Sequence, residues 1–377
     1  MEYRILGRSG LRVGEIGLGT EYLLNLTPDH VARVIHAAID HGVNYFDLFW
    51  PQPDFRDIMG AAFAGHREQV LLAAHLGSIM ENGQPVIGRD PAVCEEYFQD
   101  FLRRYHTDHV DVLFLFNSNT QEDYGSLLKP DGLLEVAYRH KQKGATRLIG
   151  FGGHNADTAR QAVESGLFDV VIFPVNFTCR TVPGNRELHD ACKREQVGLI
   201  AMKPYAGGRL LRDEAVLSIE DFQMGRTQMA GAATRFEKRQ AISPVQCLSY
   251  ALSQPGVSTV VPGCKDLPQL DAALGFLDAT REERDVSHLL ADFEHYPAGQ
   301  CVYCNHCLPC PARIDIGKTL SLLDRAQEGL LPEIRREFLA MSTQPSDCVE
   351  CEDCTGRCPF GVDVVPRMRR AAELLAG

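Results

Sequence analysis

Eight of the thirteen cysteines in this chain fall into two short runs between residues 301 and 358. Cys301, Cys304, Cys307 and Cys310 read C-x2-C-x2-C-x2-C, and Pro311 follows; Cys348, Cys351, Cys354 and Cys358 read C-x2-C-x2-C-x3-C, and Pro359 follows. Three thiolates spaced this closely can wrap one face of a cube of iron and sulfide, while the fourth, before proline, turns toward a neighbouring cube. On that spacing Cys301, Cys304, Cys307 and Cys358 hold one [4Fe-4S] cluster, and Cys348, Cys351, Cys354 and Cys310 hold a second. Structural zinc prefers two C-x2-C pairs with a longer gap between them, four ligands per ion. Disulfides require an exported chain. The first run has two residues before its last cysteine where three are usual, so Cys310 is the ligand the spacing assigns least firmly.

The rest of the composition bounds the setting. A chain of 377 residues holds one large domain and a small one. Its 45% hydrophobic and 23% charged content is ordinary for a globular protein. The net charge of −12, with no basic run, argues against nucleic acid as a partner. The opening residues lack the apolar core of a signal peptide, and no apolar stretch is long enough to cross a bilayer. Cysteines kept reduced for metal point to a cytoplasmic protein, with no membrane partner.

Those cysteines need a frame, and residues 1 to about 275 supply it by alternation of short apolar runs with amphipathic stretches. Tyr3–Leu6 and Leu11–Val13 flank a Gly-rich turn and predict a hairpin. Strands are then expected at Ile16–Leu18, Val43–Phe46, Val70–Ala74, Val110–Phe116, Thr146–Phe151, Val170–Val175, Val197–Met202 and Val257–Val261. Helices between them open at Pro28, Pro91, Leu133, Asp157, Asn185 and Pro244. Residues 205 to 240 read as irregular, and 276–297 as a connection. Eight strand-then-helix units predict an α/β fold of the (β/α)8 TIM barrel type over residues 1–290. Residues 291–377 are then a small ferredoxin-like α+β [4Fe-4S] domain, its cysteine runs separated by a helix over Leu320–Ala340 that is interrupted near Gly329 and Pro332.

In such a barrel, chemistry sits at the C-terminal ends of the strands. Those ends carry Glu21 and Tyr22, Asp47, His75, Asn117, His154, Asn176 with Arg180, Lys203 with Tyr205, and Cys264 with Lys265. Each could be a structural cap or salt bridge. Together they form a polar ring that predicts a ligand, because so many buried polar groups are costly without one. Cys94, Cys179, Cys192 and Cys247, with Cys264, read as small buried hydrophobes.

Several segments carry a resemblance to a known family. These are Tyr-Arg-Ile-Leu-Gly-Arg-Ser-Gly-Leu-Arg-Val near the start, His-Gly-Val-Asn-Tyr-Phe-Asp ending at Asp47, and Ile-Gly-Phe-Gly-Gly-His ending at His154. Ala-Met-Lys-Pro-Tyr-Ala-Gly-Gly-Arg-Leu from Ala201 and Val-Val-Pro-Gly-Cys-Lys ending at Lys265 continue the series. The chain resembles the aldo/keto reductase family, and its tail resembles that of an iron–sulfur branch with a two-cluster, ferredoxin-type segment. The resemblance implies a TIM barrel, a carbonyl-type substrate and NAD(P)H. Of the family's Asp, Tyr, Lys and His, only the Asp is matched, by Asp47. Gln52 stands at the Tyr position, His75 at the Lys position, and Phe116 with Asn117 at the His position. Lys203, Gly207, Gly208 and Lys265 fall where cofactor phosphates would be gripped, and Asn176 lies beside them. Gly152 replaces a Ser that holds the nicotinamide, and Ala273 replaces an Asn.

Three functions fit this pattern. In one, NAD(P)H supplies hydride and His75, held by Asp47, supplies the proton. In another, a small-molecule substrate or a flavin sits in the mouth. Electrons then come through the two clusters from a carrier such as ferredoxin or flavodoxin, with protons from His75, His154 or Tyr22. In the third, the barrel is a non-catalytic electron-transfer or redox-sensing subunit. The oligomeric state is left open by the sequence.

Overall fold

The computed structural model describes residues 1–212, 214–218, 235–239, 241–293, 299, 301–326, 331–358 and 360–376. The chain opens with an antiparallel hairpin, β1 (Tyr3–Ile5) and β2 (Arg12–Gly14), paired from Tyr3↔Gly14 to Ile5↔Arg12. Strand β3 (Leu18–Gly19), helix α1 (Pro28–Asp40), β4 (Tyr45–Leu48), α2 (Pro53–Ala62) and β5 (Leu71–Leu76) follow. A second hairpin, β6 (Ser78–Glu81) and β7 (Gln84–Ile87), precedes α3 (Pro91–Arg104) and β8 (Val110–Leu115). Then come α4 (Gln121–Leu127), α5 (Leu133–Gln142), β9 (Thr146–Gly152), α6 (Ala156–Glu164), β10 (Val170–Pro174), α7 (Asn185–Glu195) and β11 (Gly198–Met202). A ribbon of β12 (Glu214–Ser218) and β13 (Arg235–Arg239) leads to α8 (Pro244–Ser253), β14 (Val257–Val261) and α9 (Leu267–Leu274).

Eight strands form one parallel sheet in the order β14-β11-β10-β9-β8-β5-β4-β3. Parallel bridges Ile16↔Val260 and Gly19↔Gly263 join its two edges and close the barrel. The backbone bonds Gly17 N–H to Val260 O (2.8 Å) and Val260 N–H to Glu15 O (3.0 Å) stitch that seam. Closure removes the unpaired edges that an open sheet would leave to solvent.

Burial follows the pleat. Tyr45, Ala73, Val112, Phe114, Val170, Ile172 and Ile200 fill the barrel interior, and Leu6 and Val13 of the first hairpin plug its N-terminal end. Their neighbours on the strands face outward onto the helices in a larger core. Local chemistry starts those helices where the sequence predicts. Asp90 caps α3 by accepting from Ala92 N (2.9 Å) and Val93 N (3.0 Å), and Ser243 with Gln246 makes a reciprocal capping box on α8.

The expected barrel is present, with boundaries within a few residues of expectation. Asp47 and His75 lie inside β4 and β5 rather than after them. Helix α2, the β6–β7 hairpin, α4 and α9 are additional. The hairpin turns on Asn82-Gly83, both at positive φ (52° and 79°), which is the backbone a tight two-residue hairpin needs.

The tail corrects an expectation. Residues after β14 carry helices, and among the described residues no strand follows Val261, so the predicted α+β arrangement is not met. The expected helix is two, α10 (Ile316–Ala326) and α11 (Pro332–Leu339); α12 (Asp353–Arg357) and α13 (Val364–Ala376) complete the tail. The cause is composition. The segment between the cysteine runs and the segment after them are rich in Leu, Arg, Glu and Ala at helical spacing. Ile316, Leu320, Leu323, Ile334, Phe338, Met368 and Leu375 make a core of their own. Gly329 and Pro359 lie outside the described residues.

Helix α2 meets the end of α3 at Gly60, where a Cβ would stand 2.0 Å from the carbonyl oxygen of Arg104. Gly60→Ala gains helix propensity but forces two backbones apart, and the overpacking term dominates at about 2–3 kcal/mol. A clear fall in the thermal unfolding midpoint is the expected result.

Candidate active site at the barrel mouth

Two buried pairs stand at the C-terminal ends of the strands. In the first, His75 on β5 reaches Asp47 on β4, Nε2 to Oδ1 at 2.7 Å, with side-chain exposures of only 5% and 8%. Neighbouring parallel strands bring these two residues side by side. The His75 ring stacks on Phe114 at 5.0 Å and meets Phe116 edge-on at 5.5 Å. Its other nitrogen, Nδ1, is buried without a partner.

In the second pair, Lys203 follows β11 with φ 56° and sets its Nζ 3.1 Å from Nε2 of His154, which follows β9. Burial, and then the charge of Lys203, pushes His154 well below the ordinary imidazole range. The ring is therefore neutral near pH 7, its Nε2 accepts from Lys203, and the proton sits on Nδ1, which is buried without a partner. Glu21 sits near both pairs; burial raises its carboxyl above the usual range, Lys203 lowers it and Asp47 raises it again.

A narrow cleft of about 60 Å³ lies between His154, Asn176, Cys179, Asn185, Lys203 and Arg209. Its remaining wall comes from the tail: Val302 and Phe360 both line it. His306, between Cys304 and Cys307, extends this roof across the mouth. Its ring lies 4.5 Å from His154 and 6.3 Å from Phe116. Nothing in the polar-ring argument anticipated His306; the signal was the Asn-His pair inside the first cysteine run.

The docking of tail on barrel is close and polar. At Gly207 (φ 70°) a Cβ would stand 2.4 Å from the carbonyl oxygen of Val302, so only glycine lets the segments touch. Asp324 of α10 joins Arg209 (3.1 Å) and Arg367, and takes a bond from Tyr303 Oη at 2.7 Å. Arg212 donates to the same Tyr303 oxygen at 2.8 Å. On the other side Gln84 of β7 clasps Cys310, accepting from its N–H and donating to its carbonyl, each at 3.0 Å.

Other members of the expected ring do structural work. Asn176 Oδ1 accepts from Thr178 N and Cys179 N, and its Nδ2 donates to the Lys203 carbonyl at 2.9 Å, which fixes the Lys203 loop. Asn117 is buried and accepts from Asn119, whose own Oδ1 takes the His154 N–H at 2.6 Å. Tyr205 and Cys264 are buried in the core, Arg180 is exposed, and Tyr22 is 39% exposed beside Gly263. Lys265 is exposed at the rim and outside the lining of the cleft, its carbonyl accepting from His30 and its N–H donating to Gln269. Gly207 faces Val302 rather than an open phosphate site, and Gly208 (φ 85°) is unobstructed.

The eight cysteines of the runs sort into two sets. Cys301 is pushed up to about 12 chiefly by burial, and Cys304 and Cys358 add to it. Cys307 is raised by burial and then by Cys304, Cys301 and Cys358, with Cys354 of the other set adding last. Cys310, Cys348, Cys351 and Cys354 line one small cavity of their own under Met368 and Val365. No group of three or more His, Cys, Asp or Glu side chains among the described residues is placed to hold a metal ion.

Eight parallel strands closed into a barrel, with titratable groups gathered at the C-terminal rim, define an enzyme scaffold of the TIM-barrel class. The aldo/keto reductase family model matches residues 11–290. An uncharacterized oxidoreductase, YrpG, of Bacillus subtilis is 22% identical over 80% of this chain and 98% of its own length. An L-galactose dehydrogenase of Arabidopsis thaliana is 23% identical over 72% of this chain and 86% of its own length. The holo form of the aldo-keto reductase AKR11C1 from Bacillus halodurans superposes with TM-score 0.60 at 21% identity, over 78% of this chain and 97% of that one, which shows the fold. The chain belongs to the aldo/keto reductase family and is an oxidoreductase. Among the described residues no helix is long and apolar enough to cross a membrane.

Gly207→Ala should loosen the roof without unfolding the barrel. Amide hydrogen exchange in residues 301–310 is expected to rise at least tenfold on the scale of about 1–3 kcal/mol of overpacking, with exchange in β8 and β9 unchanged.

Proposed function

We propose that this chain is a cytoplasmic iron–sulfur oxidoreductase acting on a small carbonyl-type compound in the barrel mouth. Residues 291–377 form its cluster-bearing unit, fed by a reduced carrier such as ferredoxin or flavodoxin. The observation that carries the reading is the position of His306: the segment that bears the first cysteine run is itself the roof of the cleft. A sensing or passive subunit would have no need of that contact.

The residues present suit the group. Cys301, Cys304, Cys307 and Cys358 are mutual electrostatic neighbours, and Cys310 shares a cavity with Cys348, Cys351 and Cys354, the two sets that the spacing pairs. The Tyr303 N–H donates to Cys301 Sγ at 3.3 Å, a bond that stabilises charge on a ligating sulfur. Cluster ligands spread around a cube instead of converging on one ion, so the lack of a single-ion constellation is in keeping with it. Thiols raised by burial become thiolates only when cationic metal compensates them. Bound there, two [4Fe-4S] clusters supply electrons singly between the surface and the cleft.

The chain's own groups handle the rest. Reduction of a carbonyl to an alcohol consumes two electrons and two protons. Asp47 holds His75 through Nε2, so a doubly protonated ring has its buried Nδ1 proton to give. Lys203 and neutral His154 line the cleft, where they polarise or anchor the substrate, and the second proton passes from the Lys203 ammonium through His154, Nε2 accepting as Nδ1 gives. Val302, His306 and Phe360 exclude water from above.

A second reading has a specific support. Relatives carry the names dehydrogenase and reductase, among them an L-glyceraldehyde 3-phosphate reductase of Escherichia coli strain K12, 22% identical over 78% of this chain and 94% of its own length. In that reading NAD(P)H gives hydride and His75 gives the proton. Flavin is a further candidate for the same space.

Protein purified without air is expected to be brown, with about eight iron and eight sulfide per chain, and Cys304→Ser to lose about half of each. Colourless protein, or zinc in the cysteine sites, would sink the proposal. His75→Ala is expected to lower turnover with a reduced carrier by about 100-fold while leaving iron content intact. Turnover with NADPH alone, at full rate in iron-free protein, establishes the second reading instead.

A further inference from the structure

The cleft beneath Val302 and Phe360 holds one cation that makes no ion pair among the described residues. Lys203 Nζ bonds to His154 Nε2 at 3.1 Å and approaches Met202 Sδ at 3.6 Å, with no other hydrogen bond among the described residues. The His154 it touches is neutral, since burial and Lys203 itself lower the imidazole. Neither hydrogen-bond partner offers negative charge, and Glu21 and Cys304 feel the Lys203 charge without bonding to it, so the ammonium keeps donor capacity for the cleft it lines. A half-buried ammonium beside neutral partners is expensive to keep, and a bound anion is what relieves that cost.

A second observation points the same way. Asn185 is 4% exposed, lines the same cleft, and its Oδ1 has no hydrogen-bond partner, while its Nδ2 donates to the Cys179 carbonyl at 2.9 Å. A fixed amide with a bare acceptor, beside an unpartnered His154 Nδ1–H, completes a set of one cation, one donor and one acceptor. That set fits an acid that also carries a hydroxyl or a neighbouring carbonyl. Length is limited by the roof. A ligand extending past Gly207 would have to cross the Val302 carbonyl that already touches it.

We infer that this cleft binds a compact organic anion, a small oxo- or hydroxy-acid or its phosphate ester, whose acidic group rests on Lys203. The inference rests on the proposed function for its site and adds the chemical class of the substrate. Lys203 then anchors substrate and not the phosphates of a dinucleotide.

Titration calorimetry of the anaerobically purified full chain with oxalate, and separately with inorganic phosphate, tests this. Oxalate is expected to bind one per chain, and Lys203→Met to weaken it at least about tenfold, the weight of one charge-assisted hydrogen bond. Lys203→Arg is expected to retain binding within about threefold. Tighter binding of phosphate than of oxalate assigns the acidic group as a phosphate ester. The ultraviolet–visible cluster spectrum checks that each variant is intact, and Lys203→Gln replaces the Met variant if that one does not fold. Equal oxalate affinity in the wild type and a folded Lys203→Met or Lys203→Gln variant overturns the inference. So does absence of binding by either anion, or displacement of oxalate by NADPH. Iron and sulfide measured on the same samples keep the two failures apart: full clusters with no anion binding refute this inference alone.

Discussion

A carboxylate buried between two arginines and a tyrosine holds this molecule's two parts in register. Asp324 lies on α10, Arg367 on α13 and Arg209 on the loop after β11, so one side chain ties the tail's helices to the rim of the barrel. Tyr303 adds its hydroxyl to the same carboxylate and belongs to the first cysteine run. Removing one partner of such a buried cluster typically costs about 3–5 kcal/mol, because a charge is left behind unpaired. The whole barrel and a short cysteine loop are thereby positioned with respect to each other at one point. The backbone contact at Gly207 and the Gln84 clasp on Cys310 then remove the remaining freedom.

That docking decides what the barrel mouth is. An open TIM barrel offers a solvated rim; here the first hairpin closes the lower end with Leu6 and Val13, and the tail closes the upper end with Val302, His306 and Phe360. Water exclusion follows from the roof, and with it the low dielectric that keeps His154 neutral and raises Glu21. The chemistry available to the site is thus set jointly. Strand ends supply Asp47, His75, His154 and Lys203, and the cysteine segment supplies the cover.

The relation to aldo/keto reductases is one of scaffold kept and site changed. Asp47 stays at the end of the second barrel strand, but its partner is an imidazole from the third. A Lys–Asp pair fixes an ammonium; a His–Asp pair fixes a ring whose second nitrogen is left to face its surroundings. Phe116 packs against both His75 and His306. These residues therefore form a connected set about one aromatic wall.

Much of this was legible in the residue order, and the part that was not has a common cause. Strand–helix alternation, the proline-led starts of α1, α3 and α8 and the two cysteine runs are written within windows of a few residues, because propensity, helix starts and ligand spacing are local. Strand-end positions were legible too, since a parallel barrel puts every strand's C-terminal end on one face, and Asp47, His75, His154 and Lys203 lie there. So do Lys265, which sits at the rim facing solvent, and Asn176, which is consumed in holding a loop. Whether a strand-end polar group points at a ligand or at its own backbone depends on one or two dihedral angles that the residue type leaves free. What tertiary structure alone decided is the long-range docking: Gln84 on Cys310, Arg209 on Asp324, Val302 on Gly207, His306 over His154. Each joins residues 95 or more apart, and such contacts arise from the fit of two finished surfaces, which no local run of sequence encodes.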